Sequence, residues 1–161
     1  MCTPLINTAL SLHIRLQQSF LPTAIKFHYV FNLRDLANIF TGMLFANGDT
    51  CKDGISLVRL WIHEATRVYS DKLVCYYDID DFKKLLADVV KKGIEEINEQ
   101  AYSEPLIYCH FAEGITEQKY MPITSWASLQ NLLAKAQLTY NEVVGAMNLV
   151  LFEDAMCHVC R

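Results

Sequence analysis

No glycine-rich phosphate loop occurs anywhere in this sequence of 161 residues, which contains only six glycines. Glycines allow the backbone of such a loop to wrap around phosphates, as in the pattern G-x-x-x-x-G-K-[ST]. The chain also lacks a G-x-S-x-G nucleophile elbow and any other recognisable signature of nucleophilic catalysis. We therefore predict no complete active site and no catalytic residue in this chain.

Positive charge and long apolar runs are scarce as well. The 14 basic residues are outnumbered by 18 acidic ones, giving a net charge of −4, and no basic stripe is interleaved with aromatic residues. This pattern predicts no nucleic-acid partner. No apolar run approaches the ~20 residues that cross a bilayer, and no secretory signal precedes the first helix. We expect no membrane partner, and a cytoplasmic, reducing setting in which the six cysteines are free thiols.

Two patterns approach a metal site without completing it. His63 and Glu64 would begin a zinc-protease motif, but Arg67 stands where the second histidine is required. The acidic cluster that begins at Asp78 lacks the glycine and the final acid of a calcium loop. We predict no metal ligands here and interpret these aspartates as helix-capping residues.

The pair Cys157 and Cys160 forms a CxxC motif at a predicted helix end. A structural zinc usually needs a second pair, which is absent, and thioredoxin-type chemistry needs the motif at a helix start. The sequence favours neither, and it leaves open whether Cys109 and His110 lie close to this pair.

Hydrophobic periodicity predicts an all-α fold that begins with a four-helix bundle. The first predicted helix begins with Thr3 as its cap and runs to about Phe20, and the second follows Asn32 and runs to about Ala46. The third predicted helix spans residues 54–73. The fourth is capped by Asp78 and ends between residues 95 and 100. The predicted apolar face of the second helix comprises Leu33, Leu36, Phe40 and Met43. That of the fourth comprises Phe82, Leu85, Leu86, Val89, Val90, Ile94 and Ile97.

An extended arm and two further helices are predicted after this bundle. Residues 99–104 form a connector, 105–111 a short strand or extended arm, and 112–121 a polar loop closed by Pro122. Thr124 or Ser125 then caps one helix. Thr139 and Glu142 have the spacing of a full capping box, which predicts that a last helix runs from there to the end. Its predicted apolar stripe comprises Val143, Met147, Val150, Leu151 and Met156.

The start of the second helix is the candidate binding site. Asn32 has the chemistry of an N-cap, and Asp35 can complete a near-capping box. Arg34 lies in the first turn, where the helix dipole normally favours acidic side chains. A guanidinium at this place suits a bound phosphate. The alternative is an exposed arginine paired with Asp35 or a neighbour.

Four blocks of the chain resemble axonemal dynein heavy chains, and they occur in the same order. They are FLPTAIKFHYVFNLRDLANIF from Phe20, RLWIHEATRVYSDKL from Arg59, PLIYCHFAEG from Pro105, and YNEVVGAMNLVLFEDAMCHVCR from Tyr140. This resemblance implies that residues 1–98 are the C-terminal helical lid of the third AAA+ module. Residues 99–123 would be a connector and arm, and 124–161 the first helices of the fourth module.

The same resemblance implies a role for the candidate site. Arg34 would be the "sensor II" arginine that reaches the phosphates of ATP or ADP, bound with Mg elsewhere in the parent protein, and Asn32 would cap its helix. The parent would be an ATP-driven microtubule motor of the ciliary or flagellar axoneme. Its neighbouring AAA+ modules would be the partners of this segment, whereas microtubules and other dynein subunits would be reached only through the whole motor. Without a P-loop the isolated chain is expected to bind no cofactor and to have no ATPase activity. The alternative is a stand-alone helical interaction module or a truncated, non-motor gene product.

Overall fold

The computed structural model describes residues 2–48, 50–94, 99–114 and 119–161. Within these ranges the chain forms six helices and one antiparallel strand pair: α1 (Cys2–Ser19), α2 (Leu33–Met43), α3 (Gly54–Tyr69), α4 (Tyr76–Gly93), β1 (Tyr108–Cys109), β2 (Met121–Pro122), α5 (Trp126–Val143) and α6 (Glu153–Cys160). Short 3₁₀ turns lie at Ser70–Lys72 and Glu99–Tyr102. The predicted all-α class is confirmed. None of these described helices has both the length and the apolar character needed to span a membrane.

The chain divides into two compact units. The first comprises residues 1–45 and 51–102, and the second comprises 46–50 and 103–161. The assignment of residues 1–98, 99–123 and 124–161 to successive AAA+ modules stays a prediction.

The core of the first unit is built from apolar stripes on four helices. Helix α1 packs on α4, and α2 packs on α3. For α3 the periodicity of the sequence predicts an inner stripe of Val58, Trp61, Ala65, Val68 and Tyr69, and this prediction is confirmed because all five are buried. The buried apolar side chains of α1, α3 and α4 include Leu5, Ala9, Leu12, Leu16, Val58, Trp61, Ala65, Val68, Tyr69, Phe82, Leu86, Val89 and Val90.

The buried face of α2 differs from the predicted one. Leu33 is 73% exposed, whereas Asp35 is only 7% exposed. The inward-facing residues are Asp35, Leu36, Ile39 and Gly42. Of the four predicted residues Leu36 alone is buried, because the prediction placed only apolar residues inside, while an acid and a glycine occupy two of the inner positions. The helix also ends at Met43 rather than near Ala46.

Helix α4 begins two residues before Asp78, which is therefore not its N-cap. Asp78 instead accepts hydrogen bonds from Lys26 Nζ at 2.5 Å and from the Tyr29 hydroxyl at 2.7 Å. These hydrogen bonds lower the pKa of the Asp78 carboxyl. The capping prediction is wrong because partners distant in sequence use this carboxylate. The helix ends at Gly93, earlier than predicted, and the predicted contribution of Ile97 lies outside the described residues.

Helix α1 also begins earlier than predicted. Its first residue is Cys2, so Thr3 is not the N-cap, and Pro4 lies in the first turn. Proline is tolerated there because the first amides of a helix have no intrahelical acceptor.

The second unit is organised around a short hairpin. Strand β1 pairs with β2 so that Tyr108 lies opposite Pro122 and Cys109 opposite Met121. The predicted short strand between 105 and 111 is confirmed, but Met121 and Pro122 continue the pairing and do not merely end a loop. An apolar cluster then joins the hairpin to α5 and α6; its buried members are Ile107, Cys109, Ile123, Leu129 and Met156.

The last two helices are divided differently from the prediction. Ser125 caps α5, as expected, by accepting a hydrogen bond from the Ser128 amide at 3.2 Å. Thr139 lies inside α5 and donates its hydroxyl to the Lys135 carbonyl, so it begins no helix. The chain then leaves helical geometry through Gly145, which has a positive φ of 156°. Three residues of the predicted stripe are exposed: Val143 at the end of α5, and Met147 and Val150 in the segment between α5 and α6.

Candidate functional site

The segment that leads into α2 is anchored by three buried aromatic rings. The ring centroids of Phe20, Tyr29 and Phe31 lie 6.3 to 6.5 Å apart. Phe31 also contacts the ring of Tyr69 on α3, with centroids 5.8 Å apart. Gln17 Nε2 donates to the Phe31 carbonyl at 2.7 Å. These contacts from α1 and α3 fix the place at which α2 begins.

A complete capping box closes the start of α2. The side chain of Asn32 accepts hydrogen bonds from the amides of Arg34 at 2.9 Å and Asp35 at 3.3 Å. In return, Asp35 Oδ2 accepts a hydrogen bond from the Asn32 amide at 2.9 Å. The predicted N-cap and its acidic partner are both confirmed.

Lys72 is the ionic partner of Asp35. Its Nζ lies 2.5 Å from Asp35 Oδ1, and only 9% of the Asp35 side chain is exposed. The ammonium group also lies 5.5 Å from the centroid of the Phe31 ring. The negative charge of Asp35 is therefore balanced by Lys72, which lies in the Ser70–Lys72 turn. The alternative in which Arg34 pairs with Asp35 is wrong.

Arg34 is exposed at the tip of α2. Within the described ranges, neither a hydrogen bond nor an ion pair engages its guanidinium group. Two apolar residues that precede it closely in sequence are also exposed, Val30 at 53% and Leu33 at 73%. Exposed apolar side chains are typical of a surface that meets another molecule or another part of a larger protein.

This arrangement favours an anion as the group in front of α2. The helix dipole places partial positive charge at the N-terminus, and Arg34 adds a full charge there. The amides of Arg34 and Asp35 are already used by Asn32, so the guanidinium is the charged donor at this helix tip. A planar guanidinium can donate two parallel hydrogen bonds to one phosphate. The nucleotide-binding roles of Arg34 and Asn32 stay predictions.

Two contacts that position α2 were missed in the sequence. Lys72 gave no local signal, because its partner Asp35 lies far away along the chain. A Cβ at Gly42 would overlap the carboxylate of Glu64 on α3. That carboxylate accepts hydrogen bonds from Arg67 at 2.9 Å and 2.7 Å. The arginine that breaks the zinc-protease pattern is thus the partner of its glutamate, and the i,i+3 spacing was the one available signal.

The cysteines and histidines form no metal centre in the described part of the chain. No group of three or more histidine, cysteine, aspartate or glutamate side chains there is arranged to hold a metal ion. Cys157 and Cys160 do meet Cys109 in the apolar cluster of the second unit, whereas His158 is exposed. The sequence left open whether Cys109 lies close to the CxxC pair, and the structure places the three thiols in the same cluster.

Comparison with known protein families gives one match for the first unit. A model of the AAA+ lid domain matches residues 5–103.

Individual relatives match nearly the whole chain. The ciliary dynein beta chain of Heliocidaris crassispina is 53% identical over 157 residues, which cover 97% of this chain and 4% of that protein. Human dynein axonemal heavy chain 17 is 49% identical over 158 residues, which cover 98% of this chain and 4% of that protein. The flagellar outer-arm dynein alpha chain of Chlamydomonas reinhardtii is 42% identical over 166 residues, which cover 100% of this chain and 4% of that protein. The chain thus spans about 4% of the length of the curated relatives it matches.

Proposed function

Because this chain belongs to the AAA+ lid domain family, we propose that its first unit is the helical lid over the nucleotide site of an AAA+ module in an axonemal dynein heavy chain. The resemblance in sequence order indicates the third module, with residues 124–161 leading into the fourth. The whole heavy chain would be an ATP-driven microtubule motor of cilia or flagella. This segment would supply a lid and a link between modules, and no ATPase activity by itself.

The observation that carries the proposal is the separation of two charges in the first turn of α2. Asp35 is buried and neutralised by Lys72, whereas the neighbouring Arg34 is exposed and has no acidic partner within the described ranges. A salt bridge between adjacent residues would have occupied the guanidinium. Here the cation stays available at the positive end of a helix, and a phosphate is the biological anion that suits it best.

Asn32 would act as a positioning residue in this site. Its side chain holds the first turn of α2 by accepting hydrogen bonds from two backbone amides. These bonds would set the direction in which the Arg34 side chain leaves the helix. The MgATP or MgADP bound by the remainder of the module would supply the phosphates. This chain would contribute one charged contact, from Arg34, and the capped first turn of α2 that positions it.

The exposed apolar residues of the segment that leads into α2 support a partner within the same heavy chain. Phe27, Val30 and Leu33 are 74%, 53% and 73% exposed. A partner that covered these side chains would gain a free energy of about 25 cal/mol for each Å² of apolar surface removed from water. The nucleotide-binding core of the same AAA+ module is the partner that would also bring the nucleotide.

The test is the affinity for MgATP of a recombinant AAA+ module that joins this chain to a dynein nucleotide-binding core. Removing one charge-assisted contact of about 1.5–3 kcal/mol predicts that Arg34→Ala weakens binding about 10- to 150-fold. Arg34→Lys should recover only part of the loss, because an ammonium group cannot bind a phosphate through a planar fork.

Lys91→Ala is the matched control for the loss of one exposed positive charge. Lys91 lies in the last turn of α4, about 20 Å along that helix from Asp78, whose carboxylate contacts the segment leading into α2. The control should leave the affinity unchanged. Equal affinities for MgATP in Arg34→Ala, Lys91→Ala and the unaltered module would show that Arg34 does not contact the nucleotide.

A further inference from the structure

Three cysteines of the second unit converge on one apolar cluster. Cys109 on β1 is 1% exposed and belongs to the buried part of this cluster. Cys157 and Cys160 on α6 are partly buried and pack against it. The interaction between the two side chains lowers the pKa of the Cys109 thiol and raises that of the Cys160 thiol. Sulfurs from β1 and α6 therefore lie close together in this cluster, and all six cysteines are free thiols.

We propose that Cys109 and Cys160 form a redox modification site, at which a peroxide joins their sulfurs in a reversible disulfide that ties α6 to β1. This inference concerns the second unit alone and does not depend on the nucleotide-facing role of Arg34.

The reaction balances with hydrogen peroxide as the two-electron oxidant. The sulfur of one cysteine attacks one peroxide oxygen, the O–O bond breaks, and the products are a sulfenic acid and one water. The sulfur of the other cysteine then attacks the sulfenic sulfur, displacing hydroxide, which takes the proton of the attacking thiol and leaves as a second water. Two thiols lose two hydrogens and two electrons, and the peroxide is reduced to two waters.

Exposure and acidity favour different sulfurs as the first to react. Cys160 is the more accessible of the two, whereas Cys109 is covered. The interaction between them lowers the pKa of the Cys109 thiol and raises that of Cys160, and the thiolate is the form that attacks a peroxide. The same disulfide forms in either order.

The geometry disfavours the competing bond between Cys157 and Cys160. These residues lie three positions apart on α6, and the Cβ atoms of such neighbours on a helix are about 5–6 Å apart. A disulfide needs Cβ atoms about 3.5–4.5 Å apart. The CxxC motif would therefore have to shorten this spacing within α6 before it could close.

The experiment uses the complete 161-residue chain, reduced and then freed of reductant. The chain is treated with hydrogen peroxide, its remaining thiols are alkylated, and it is digested and mapped by mass spectrometry. The expected result is a loss of about 2 Da, a cross-linked peptide containing Cys109 and Cys160, and full reversal by dithiothreitol.

Two serine variants on the same helix distinguish the possible bonds. Cys160→Ser should abolish the cross-link, and Cys157→Ser, the matched control, should retain it. Circular dichroism checks that both variants are folded, and if either is not, the map of the unaltered chain decides. A cross-link between any other two cysteines would overturn the proposal. So would a cross-link that persists in Cys160→Ser, or mass gains from sulfinic or sulfonic acids without any cross-link.

Discussion

The carboxylate of Glu64 on α3 occupies the space that a Cβ on Gly42 of α2 would fill. Glu64 is fully buried, and Arg67 donates two hydrogen bonds to one of its oxygens. Glycine at position 42 therefore lets α2 lie close to a buried ion pair on α3. The helix that carries Arg34 is held at this end by packing and at its first turn by Lys72.

Gly42→Ala is expected to lower the free energy of unfolding by about 1–3 kcal/mol. The added methyl group would push the Glu64 carboxylate away from Arg67 or separate the two helices, and overpacking of this kind outweighs the better helix propensity of alanine. Gly48→Ala is the control, since no atom lies within 4 Å of a Cβ built there. Urea denaturation compares the two variants. A Gly42→Ala chain as stable as the Gly48→Ala chain would show that the helices do not depend on this close approach.

Asp35→Ala is expected to cost roughly 2–3 kcal/mol of stability. The substitution removes the cap of the Asn32 amide and leaves the Lys72 ammonium group without its partner. Asp80→Ala removes an exposed acid from α4 and should change stability by no more than about 0.5 kcal/mol. Thermal unfolding followed by circular dichroism measures both. Equal midpoints for the two variants would argue against an ion pair that holds the first turn of α2.

Stability should fall as the pH decreases from 7 to 5, in part because of His13. Burial lowers the pKa of His13, with Asp35 raising it and Lys72 lowering it further. Its Nδ1 lies 2.9 Å from the Tyr69 hydroxyl oxygen, and its Nε2 has no hydrogen-bond partner in the described structure. A histidine with a lowered pKa binds its proton more readily in the unfolded chain. That proton therefore favours unfolding as the pH falls through about 6.5, the ordinary histidine value.

His13→Gln tests this assignment by removing the titrating group from the buried site. The free energy of unfolding of the variant should depend less on pH between 7 and 5 than that of the unaltered chain. His158→Gln removes an exposed histidine and should leave the slope unchanged. Parallel pH profiles for His13→Gln and the unaltered chain would exclude His13 as the source of the acid sensitivity.

Local signals made part of the first unit predictable. The Asn32 cap, its Asp35 partner and the inner stripe of α3 depend on residues three or four positions apart, and periodicity records such spacings. The buried face of α2 was predicted wrongly because the inward positions of Asp35 and Gly42 depend on Lys72 and Glu64. Those partners are brought together only by the tertiary fold.

The second unit was harder to predict because its local signals conflict with its packing. The Thr139 spacing is that of a capping box, yet α5 continues through it, and Thr139 uses its hydroxyl inside the helix. The real last helix starts after Phe152, which makes no side-chain cap, so no residue marked the start. The proximity of Cys109 and Cys160 likewise arises from the cluster that joins the hairpin to α6.

The most direct test of the lid proposal is the distance between the Arg34 guanidinium and the nucleotide. A structure of the complete AAA+ module with MgADP bound, determined by cryo-electron microscopy, supplies it. The proposal predicts an Arg34 nitrogen about 2.7–2.9 Å from a phosphate oxygen, with the Asn32 cap intact. A bound nucleotide whose phosphates are surrounded by other residues, with Arg34 directed into solvent or paired with a protein carboxylate, would contradict it.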